Sequence, residues 1–214
     1  ERVTRRLREL AFLNQGLNIE VEDERSGRRR TFAYEGGIRT FVKHLNRNRE
    51  VIFDEPIYLQ GKKDDVVLEV AIQYNQSFIQ DIFAFVNDIN TEEGGTHLSG
   101  FKSGLTRTIN DYVKKKENQP IVLLGEDVRE GLTAIINMKM PDPQFEGQTK
   151  TRLGNTEAKG IVESIVYGNL SRYLEENPTI GKLVIQNVVS ASRVRQTAQK
   201  AREVARRKEG LVGD

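Results

Sequence analysis

The spacing of apolar residues divides the N-terminal part of the chain into a helix and a hairpin. Apolar residues recur every three to four positions in TRRLRELAFLN (residues 4–14), which predicts a helix that stops at Gly16. LNIEVEDE and RTFAYE then alternate apolar and polar residues and predict two paired strands. The apolar residues of this predicted hairpin are Ile19, Val21, Phe32 and Tyr34. Gly36-Gly37 interrupts the pattern, so we place a domain boundary between residues 1–36 and 37–214.

Four further extended runs predict the strands of a sheet. They are EPIYLQG, DVVLEVAIQYN, FIQDIFAFVNDI and GLTAIINMKM. The second and third alternate clearly, and in the second Glu69 and Gln73 share one face whereas Val70 and Ile72 share the other. Such alternation is typical of antiparallel strands with one face toward water.

Three helical patterns lie between or after these strands. One has the apolar residues Leu98, Phe101, Leu105, Ile109 and Tyr112, and a second runs from about Thr156 to Glu176. A third runs without a breaker from Ile180 to about Arg207, and its narrow seam of small residues predicts a helix that projects from its domain or packs on a partner. The predicted fold class is therefore α+β: a four-stranded sheet with helices segregated around it and a long C-terminal helix.

Composition narrows the function classes. The 214 residues include no cysteine and two histidines, which excludes a disulfide framework, a thiolate metal site and a histidine-rich metal cluster. The 33 basic and 31 acidic residues nearly cancel, so only local charge can indicate an anionic partner. The chain has no apolar run near the ~18 residues of a membrane span, and ERVTRRLREL lacks the core of a secretory signal. We expect a soluble, cytoplasmic protein.

The polar stretch PDPQFEGQTKTRLGN (residues 141–155) lies between an apolar strand and a long helix. Its Lys150 is a compact charge that suits a phosphate, Gln148 can donate to an oxygen, and Gly147 permits close backbone approach. One interpretation is a loop that binds an anion, most simply phosphate. The other is a solvated connector, and composition alone favours it.

Two other motifs favour structural roles. GGTHLSGFKSG places two glycines before a helix, but it matches neither common phosphate-loop pattern, and His97 within it has no catalytic partner at recognisable spacing. GEDVREG brings Glu126, Asp127 and Glu130 together, and the absence of a second acidic motif favours a short helix start over a metal site.

The C-terminal helix is basic. Between residues 193 and 208 a single acidic residue, Glu203, accompanies seven basic ones: Arg193, Arg195, Lys200, Arg202, Arg206, Arg207 and Lys208. The run is either a solvated helix face or a nucleic-acid surface. In the second case its contacts would be to phosphates rather than to bases.

In combination these segments resemble a known family. The segments YEGGIRTFVKHLN, NDINTEEGGTHLSGFKSGLTRTINDY, GEDVREGLTAIINMKMPDPQFEGQTKTRLGN and SRVRQTAQKAREVARR resemble, in the same order, the B subunits of bacterial type IIA topoisomerases. The resemblance covers essentially the whole chain and is closer to gyrase than to topoisomerase IV. It implies that residues 1–36 end a GHKL-type ATP-binding domain and that residues 37–214 form a transducer domain similar to domain 2 of ribosomal protein S5.

The resemblance implies a role for the polar loop. In this family the QTK loop reaches the ATP site of the same chain, which implies that Gln148 and Lys150 contact the γ-phosphate and that Lys150 stabilises charge during phosphoryl transfer. Loss of that phosphate would free the loop and couple nucleotide state to dimer closure. ATP and Mg²⁺ are the implied cofactors. The family's water-activating, magnesium-binding and DNA-cleaving residues have no counterpart in this sequence, so we expect the segment alone to be inactive.

The resemblance also implies partners: duplex DNA, the gyrase A subunit in an A2B2 complex, and a second copy of the B subunit upon ATP binding. Lys102 lies where the family places a basic residue that faces captured DNA, although many relatives have arginine there. The residues predicted to face DNA are Lys102, Arg193, Arg195, Arg202 and Arg206. The rival hypothesis is a stand-alone nucleic-acid-binding module of the S5-like fold, in which QTK is a connector.

Overall fold

The computed structural model describes residues 2–117, 121 and 123–210, with side chains described up to residue 206. The helices are α1 (Arg2–Leu13), α2 (Gly37–Asn46), α3 (Thr96–Lys116), α4 (Gly125–Arg129), α5 (Thr156–Glu176) and α6 (Pro178–Gly210). The strands are β1 (Asn18–Asp23), β2 (Arg28–Ala33), β3 (Ile57–Lys63), β4 (Val66–Tyr74), β5 (Asp81–Val86), β6 (Ile89–Asn90), β7 (Gly94–Gly95), β8 (Leu132–Lys139), β9 (Phe145–Glu146) and β10 (Arg152–Leu153).

The central sheet has five strands in the order β3-β4-β8-β5-β6. This is one strand more than the sequence predicts, because the two-residue β6 is too short to show a periodic pattern. β4 pairs antiparallel with both β3 and β8, which confirms the antiparallel prediction for β4. β5 pairs antiparallel with β6 as predicted, but parallel with β8, so the prediction was wrong for that pair. Parallel neighbours need a crossover connection, and α3 supplies it between β5 and β8.

The main hydrophobic core lies between one face of this sheet and the helices α3 and α5. Side chains such as Val70, Ile136, Phe101 and Val166 are at most 1% exposed there. The two helices approach closely at a glycine, since a Cβ atom on Gly100 would lie 2.4 Å from the carbonyl oxygen of Lys159. The helix spacings that the sequence predicts for α3 and α5 are both confirmed.

The other face of the sheet is also covered, which corrects the prediction that it faces water. Ala71, Phe85 and Ile135 are fully buried against a cluster formed by α1 and α2. Gln73, predicted to be solvated, is 1% exposed and donates to the carbonyl of Phe53. The covering residues come from a different part of the chain, so the alternation within β4 carried no information about them.

Residues 2–36 pack onto this second face through aromatic rings. The predicted hairpin is present as β1 and β2, with Ile19 opposite Phe32. The ring of Phe12 on α1 stacks on Tyr34 and Phe41, with centroid distances of 3.7 and 4.6 Å. Helix α2 begins at Gly37, whose φ of +55° suits glycine. A domain boundary at this position remains a prediction, since the hydrophobic cluster extends across it.

Helix α6 has 33 residues, equivalent to about 50 Å of helix. It begins at Pro178, which is tolerated in a first turn because the missing N–H would have no intrahelical partner there. Val184, Val188 and Ala191 are buried against the domain. Residues 196–206 are exposed on every side, so the second half of the helix projects as predicted.

Candidate functional site

The candidate site is the tip of a short hairpin formed by β9 and β10. Phe145 pairs with Leu153 and Glu146 with Arg152, and the latter two side chains form an ion pair of 3.2 Å. Strand β10 also pairs in parallel with β7, which makes a three-stranded sheet of two-residue strands. Leu153 is fully buried in the main core. The base of the hairpin is therefore held by the domain while its tip extends into solvent.

The glycines before α3 serve this strand pairing. Gly95 has φ +129°, and a Cβ atom there would lie 2.4 Å from the carbonyl oxygen of Leu153. Only glycine allows the two backbones to approach in this way. The structural interpretation of the GGTH motif is thus supported, and the same contact joins the start of α3 to the hairpin.

The hairpin tip presents a cation and an amide that have no partners among the described residues. Gln148, Thr149 and Lys150 are exposed. Lys150 has φ +53°, and its backbone N–H donates to the carbonyl of Gly147 at 3.4 Å. Among the described residues no carboxylate lies within ion-pair distance of the Lys150 Nζ atom, and no hydrogen-bond partner contacts the Gln148 side chain. Both side chains are free to bind an external anion such as a phosphate.

A second candidate cation, Lys102, lies on α3. It is partly buried, and this burial together with the charge of Arg129 lowers the pKa of Lys102 below its ordinary value. The Nε atom of Arg129 donates to Gln80 Oε1 at 2.9 Å. Within the described part of the chain neither cation forms an ion pair. An anion brought here would be favoured by two charges held on different helices.

The basic residues of α6 differ in their surroundings. Arg193, Arg202 and Arg206 are exposed. Arg195 makes a bidentate ion pair with the buried Asp127, with Nε to Oδ1 at 2.7 Å and Nη2 to Oδ2 at 2.9 Å. The guanidinium of Arg195 is thus held by a carboxylate, and the predicted role of Arg195 toward DNA stays a prediction. The side chains of Arg207 and Lys208 lie outside the described residues.

The acidic motif GEDVREG forms the short helix α4, as predicted. Asp127 also accepts a hydrogen bond from the backbone N–H of Leu124 at 2.8 Å, so its carboxylate stabilises the helix start and Arg195 together. The structure contains no group of three or more metal-ligating side chains among the residues it describes. Over the same residues no helix combines the length and apolar character needed to span a membrane.

His97 is buried in the first turn of α3, away from solvent. Its Nε2 atom lies 3.0 Å from Thr91 Oγ1, and Nδ1 has no hydrogen-bond partner among the residues that the structure describes. Burial lowers the pKa of His97 to about 4. A neutral, enclosed imidazole is a packing residue rather than an exposed acid or base, which agrees with the structural interpretation of this histidine.

Three features of the site were not predicted from the sequence. They are the small sheet of β7, β9 and β10, the Asp127–Arg195 ion pair, and the contacts of Asn155 at the base of the hairpin. Two-residue strands show no periodicity, and a pair separated by 68 positions has no local signal. The available clue for Asn155 was its place immediately before a helix, where asparagine is favoured.

Comparison with known proteins gives concordant matches. The family model DNA gyrase B matches residues 37–204. The DNA gyrase B protein of Clostridium acetobutylicum is 58% identical over 98% of this chain, and that of Halalkalibacterium halodurans is 55% identical over 96%. This chain covers 33% of each, so it spans about a third of the curated relatives that it matches.

Solved structures show the same fold. The 43K ATPase domain of Thermus thermophilus gyrase B, solved with an aminocoumarin, matches with a TM-score of 0.85 at 37% identity, over 95% of this chain and 56% of that one. The topoisomerase IV ATP-binding domain of Francisella tularensis matches with a TM-score of 0.76 at 25% identity, over 91% of this chain and 53% of that one.

Proposed function

The chain belongs to the DNA gyrase B family, and from this premise we propose that it is the transducer region of an ATP-dependent type II DNA topoisomerase. In this proposal the hairpin tip senses the γ-phosphate of ATP through Gln148 and Lys150. The domain then couples ATP hydrolysis to closure of a dimer of B subunits and to DNA strand passage. Residues 1–36 would belong to the ATP-binding domain and residues 37–214 to an S5-like transducer domain.

The observation that carries the proposal is the contrast between a locked base and a free tip. Leu153 is buried and Gly95 packs against its backbone, so the hairpin has one defined position on the domain. Lys150 and Gln148 have no partners among the described residues, so their binding capacity is unused. A charge held out on a rigid support stabilises a developing negative charge with little reorganisation.

The chemistry required of this tip is simple. The Lys150 ammonium would neutralise charge on the γ-phosphoryl oxygens, and the Gln148 amide would donate to an oxygen without adding charge. ATP supplies the phosphoryl group that is transferred, and Mg²⁺ would be held by residues outside this segment. Because both contacts need the γ-phosphate, its release would leave the tip without a ligand and free the domain to move. Reciprocity requires that the position of the transducer also changes ATP affinity.

The basic residues of the domain would bind DNA during the same ATP-dependent cycle. Lys102 and the exposed Arg193, Arg202 and Arg206 have the charge needed to contact phosphates of a captured duplex. The expected partners are duplex DNA, the gyrase A subunit in an A2B2 complex, and a second copy of the B subunit when ATP binds. The equivalent subunit of topoisomerase IV is the nearest alternative.

A second candidate function is a nucleic-acid-binding module without ATP sensing, for which the projecting basic half of α6 is the specific observation. That function predicts a steep salt dependence of duplex affinity for the 214-residue chain by itself, with a log–log slope of about 0.9 for each phosphate contact. It also predicts that Lys150 is dispensable.

The deciding experiment is DNA-stimulated ATP turnover by the full-length gyrase B protein reconstituted with its A subunit. We expect Lys150→Ala to lower turnover ~100-fold or more, equivalent to about 2.7 kcal/mol of transition-state stabilisation. Lys159→Ala removes an exposed lysine from the neighbouring helix and should leave turnover unchanged. Normal turnover in a folded Lys150→Ala enzyme would refute the proposal and leave the hairpin as a connector.

A further inference from the structure

Asn155 lies at the junction between the hairpin and α5 and is 5% exposed. Its Oδ1 atom accepts a hydrogen bond from the backbone N–H of Gln144 at 2.6 Å. Its Nδ2 group donates to the carbonyl of Asp142 at 3.3 Å and to Glu157 Oε1 at 2.8 Å. We call residues 142–146, before the tip, the incoming arm of the hairpin, and residues 151–155, after it, the outgoing arm. The Asn155 side chain therefore binds the incoming arm at two points, while its own backbone belongs to the outgoing arm.

Each arm of the hairpin has its own attachment. The outgoing arm is held by β7, since the backbone N–H of Glu93 donates to the carbonyl of Thr151 at 3.0 Å and β10 pairs with β7. The incoming arm has no such strand on its outer side, because β9 is an edge of the small sheet. Besides its pairing with the outgoing arm, this arm is held where it begins by the hydrogen bonds of Met140 to Asn87, in its middle by the Asn155 side chain, and near β9 by the packing of Phe145 on the main core.

We infer that Asn155 is a positioning residue that sets the place of Lys150 relative to the γ-phosphate by fixing the incoming arm of the hairpin. The inference rests on the proposed function of Lys150. Asn155 itself lies at the base of the hairpin and would not touch the nucleotide. Its effect on Lys150 passes through residues 144–147, which are bonded to Asn155 at one end and lead to the tip at the other.

The role of Asn155 at the start of α5 is separable from its hydrogen bonds to the hairpin. Asn155 occupies the N-cap position of α5, yet its side chain makes no capping hydrogen bond to that helix. Replacement of the side chain should thus leave the helix start largely unchanged. The hydrogen bond from Asn155 is the largest influence that lowers the pKa of Glu157, so the titration of Glu157 reports whether that one hydrogen bond is present.

The test compares two nucleotides that differ only in the phosphate that Lys150 would contact. Affinities of the full-length gyrase B protein are measured for ADP and for a non-hydrolysable ATP analogue, in wild type, Asn155→Ala, Asn155→Asp and Lys150→Ala. Asn155→Ala loses all three hydrogen bonds, whereas Asn155→Asp keeps the acceptor for Gln144 and loses both donations. Asn169→Ala is the matched control, since Asn169 lies on α5 and its amide group donates within that helix.

We expect Asn155→Ala to lower the preference for the ATP analogue over ADP about tenfold, because a displacement near 1 Å can cost up to ~100-fold. Asn155→Asp should give a smaller loss in the same direction, and Asn169→Ala none. ADP affinity should stay at the wild-type value in all variants, which a general loss of folding would not allow.

Wild-type preference in both Asn155 variants, with Lys150→Ala still defective, would overturn the inference and leave the proposed function intact. Wild-type preference in Lys150→Ala as well would overturn both. If Asn155→Ala does not fold, the Asn155→Asp result decides alone, and an unchanged preference there counts against the inference.

Discussion

The buried His97 should make the stability of this domain depend on pH below neutrality. Thr91 Oγ1 lies 2.9 Å from the carbonyl of Ala84, to which its hydroxyl donates, so the same oxygen accepts from His97 Nε2. The imidazole is therefore neutral with its proton on Nε2, and Nδ1 is a buried acceptor without a partner in the described part of the chain. A second proton on Nδ1 would create a buried charge with no hydrogen-bond acceptor, which is why protonation is disfavoured.

The direction and size of this pH dependence follow from the pKa values of His97 in the folded and unfolded chain. Burial lowers the folded-state pKa to about 4, whereas the ordinary value is 6.5. Between these values the unfolded chain binds the extra proton and the folded chain does not, so stability falls as the pH falls. The free energy of unfolding should drop by about 2 kcal/mol between pH 7 and pH 5 through this group alone.

Urea unfolding followed by circular dichroism at pH 7 and pH 5 measures this effect. His97→Gln retains an amide that can donate to Thr91 but does not titrate, so this variant should lose about 2 kcal/mol less stability than wild type over the interval. His44→Gln is the control, because His44 is the second histidine and is only partly buried. An equal loss in wild type and His97→Gln would refute the tautomer and burial argument.

Two further changes test the structural supports of the site. Gly95→Ala should lower the free energy of unfolding by roughly 2 kcal/mol or more, because it combines a glycine-only φ with a backbone clash. Gly27→Ala, with positive φ but open space, should cost less, which thermal melts of both variants measure. Arg195→Gln should lower the melting temperature by leaving Asp127 unpaired. Arg193→Gln should instead leave it unchanged and reduce the log–log salt slope of duplex binding by about 0.9.

Helices whose apolar repeat continues over many residues were predictable, because the repeat lies within one contiguous segment of the sequence. Helix α5 was expected over Thr156 to Glu176 and is observed over the same span. Helix α3 likewise follows from its repeat of apolar residues, which all face one core. In these segments propensity, spacing and burial agree, so no distant part of the chain was needed to find them.

Features that depend on pairing between distant segments were not predictable in this way. Strand β5 alternates like an antiparallel strand, and it pairs antiparallel with β6, but its other neighbour is the parallel β8, which lies after a crossover helix. Gln73 was assigned to a wet face, whereas α2 supplies Asn46 as a buried partner for its amide oxygen at 2.9 Å. A buried polar residue that is fully bonded looks the same in sequence as an exposed one.

The residues of the candidate site separate into those found from sequence and those that support them. Resemblance to a family directed attention to Gln148 and Lys150, because the QTK motif is contiguous. The supports, Gly95 and Asn155, act through backbone contacts with residues elsewhere in the chain. Residue type alone could not distinguish them from an ordinary helix cap or a flexible turn.

The hairpin and Lys102 belong to one packed unit, and this has a mechanical consequence. Helix α5 starts directly after Asn155 and packs on α3, where a Cβ atom on Gly104 would lie only 3.0 Å from the carbonyl oxygen of Glu163. Helices in such close contact resist sliding, because any shift forces backbone atoms together. A displacement of the hairpin base that carries α5 with it must therefore carry α3 and Lys102 as well. Binding at the hairpin tip and binding near Lys102 would then bias the same rigid body, as reciprocal coupling between two sites requires.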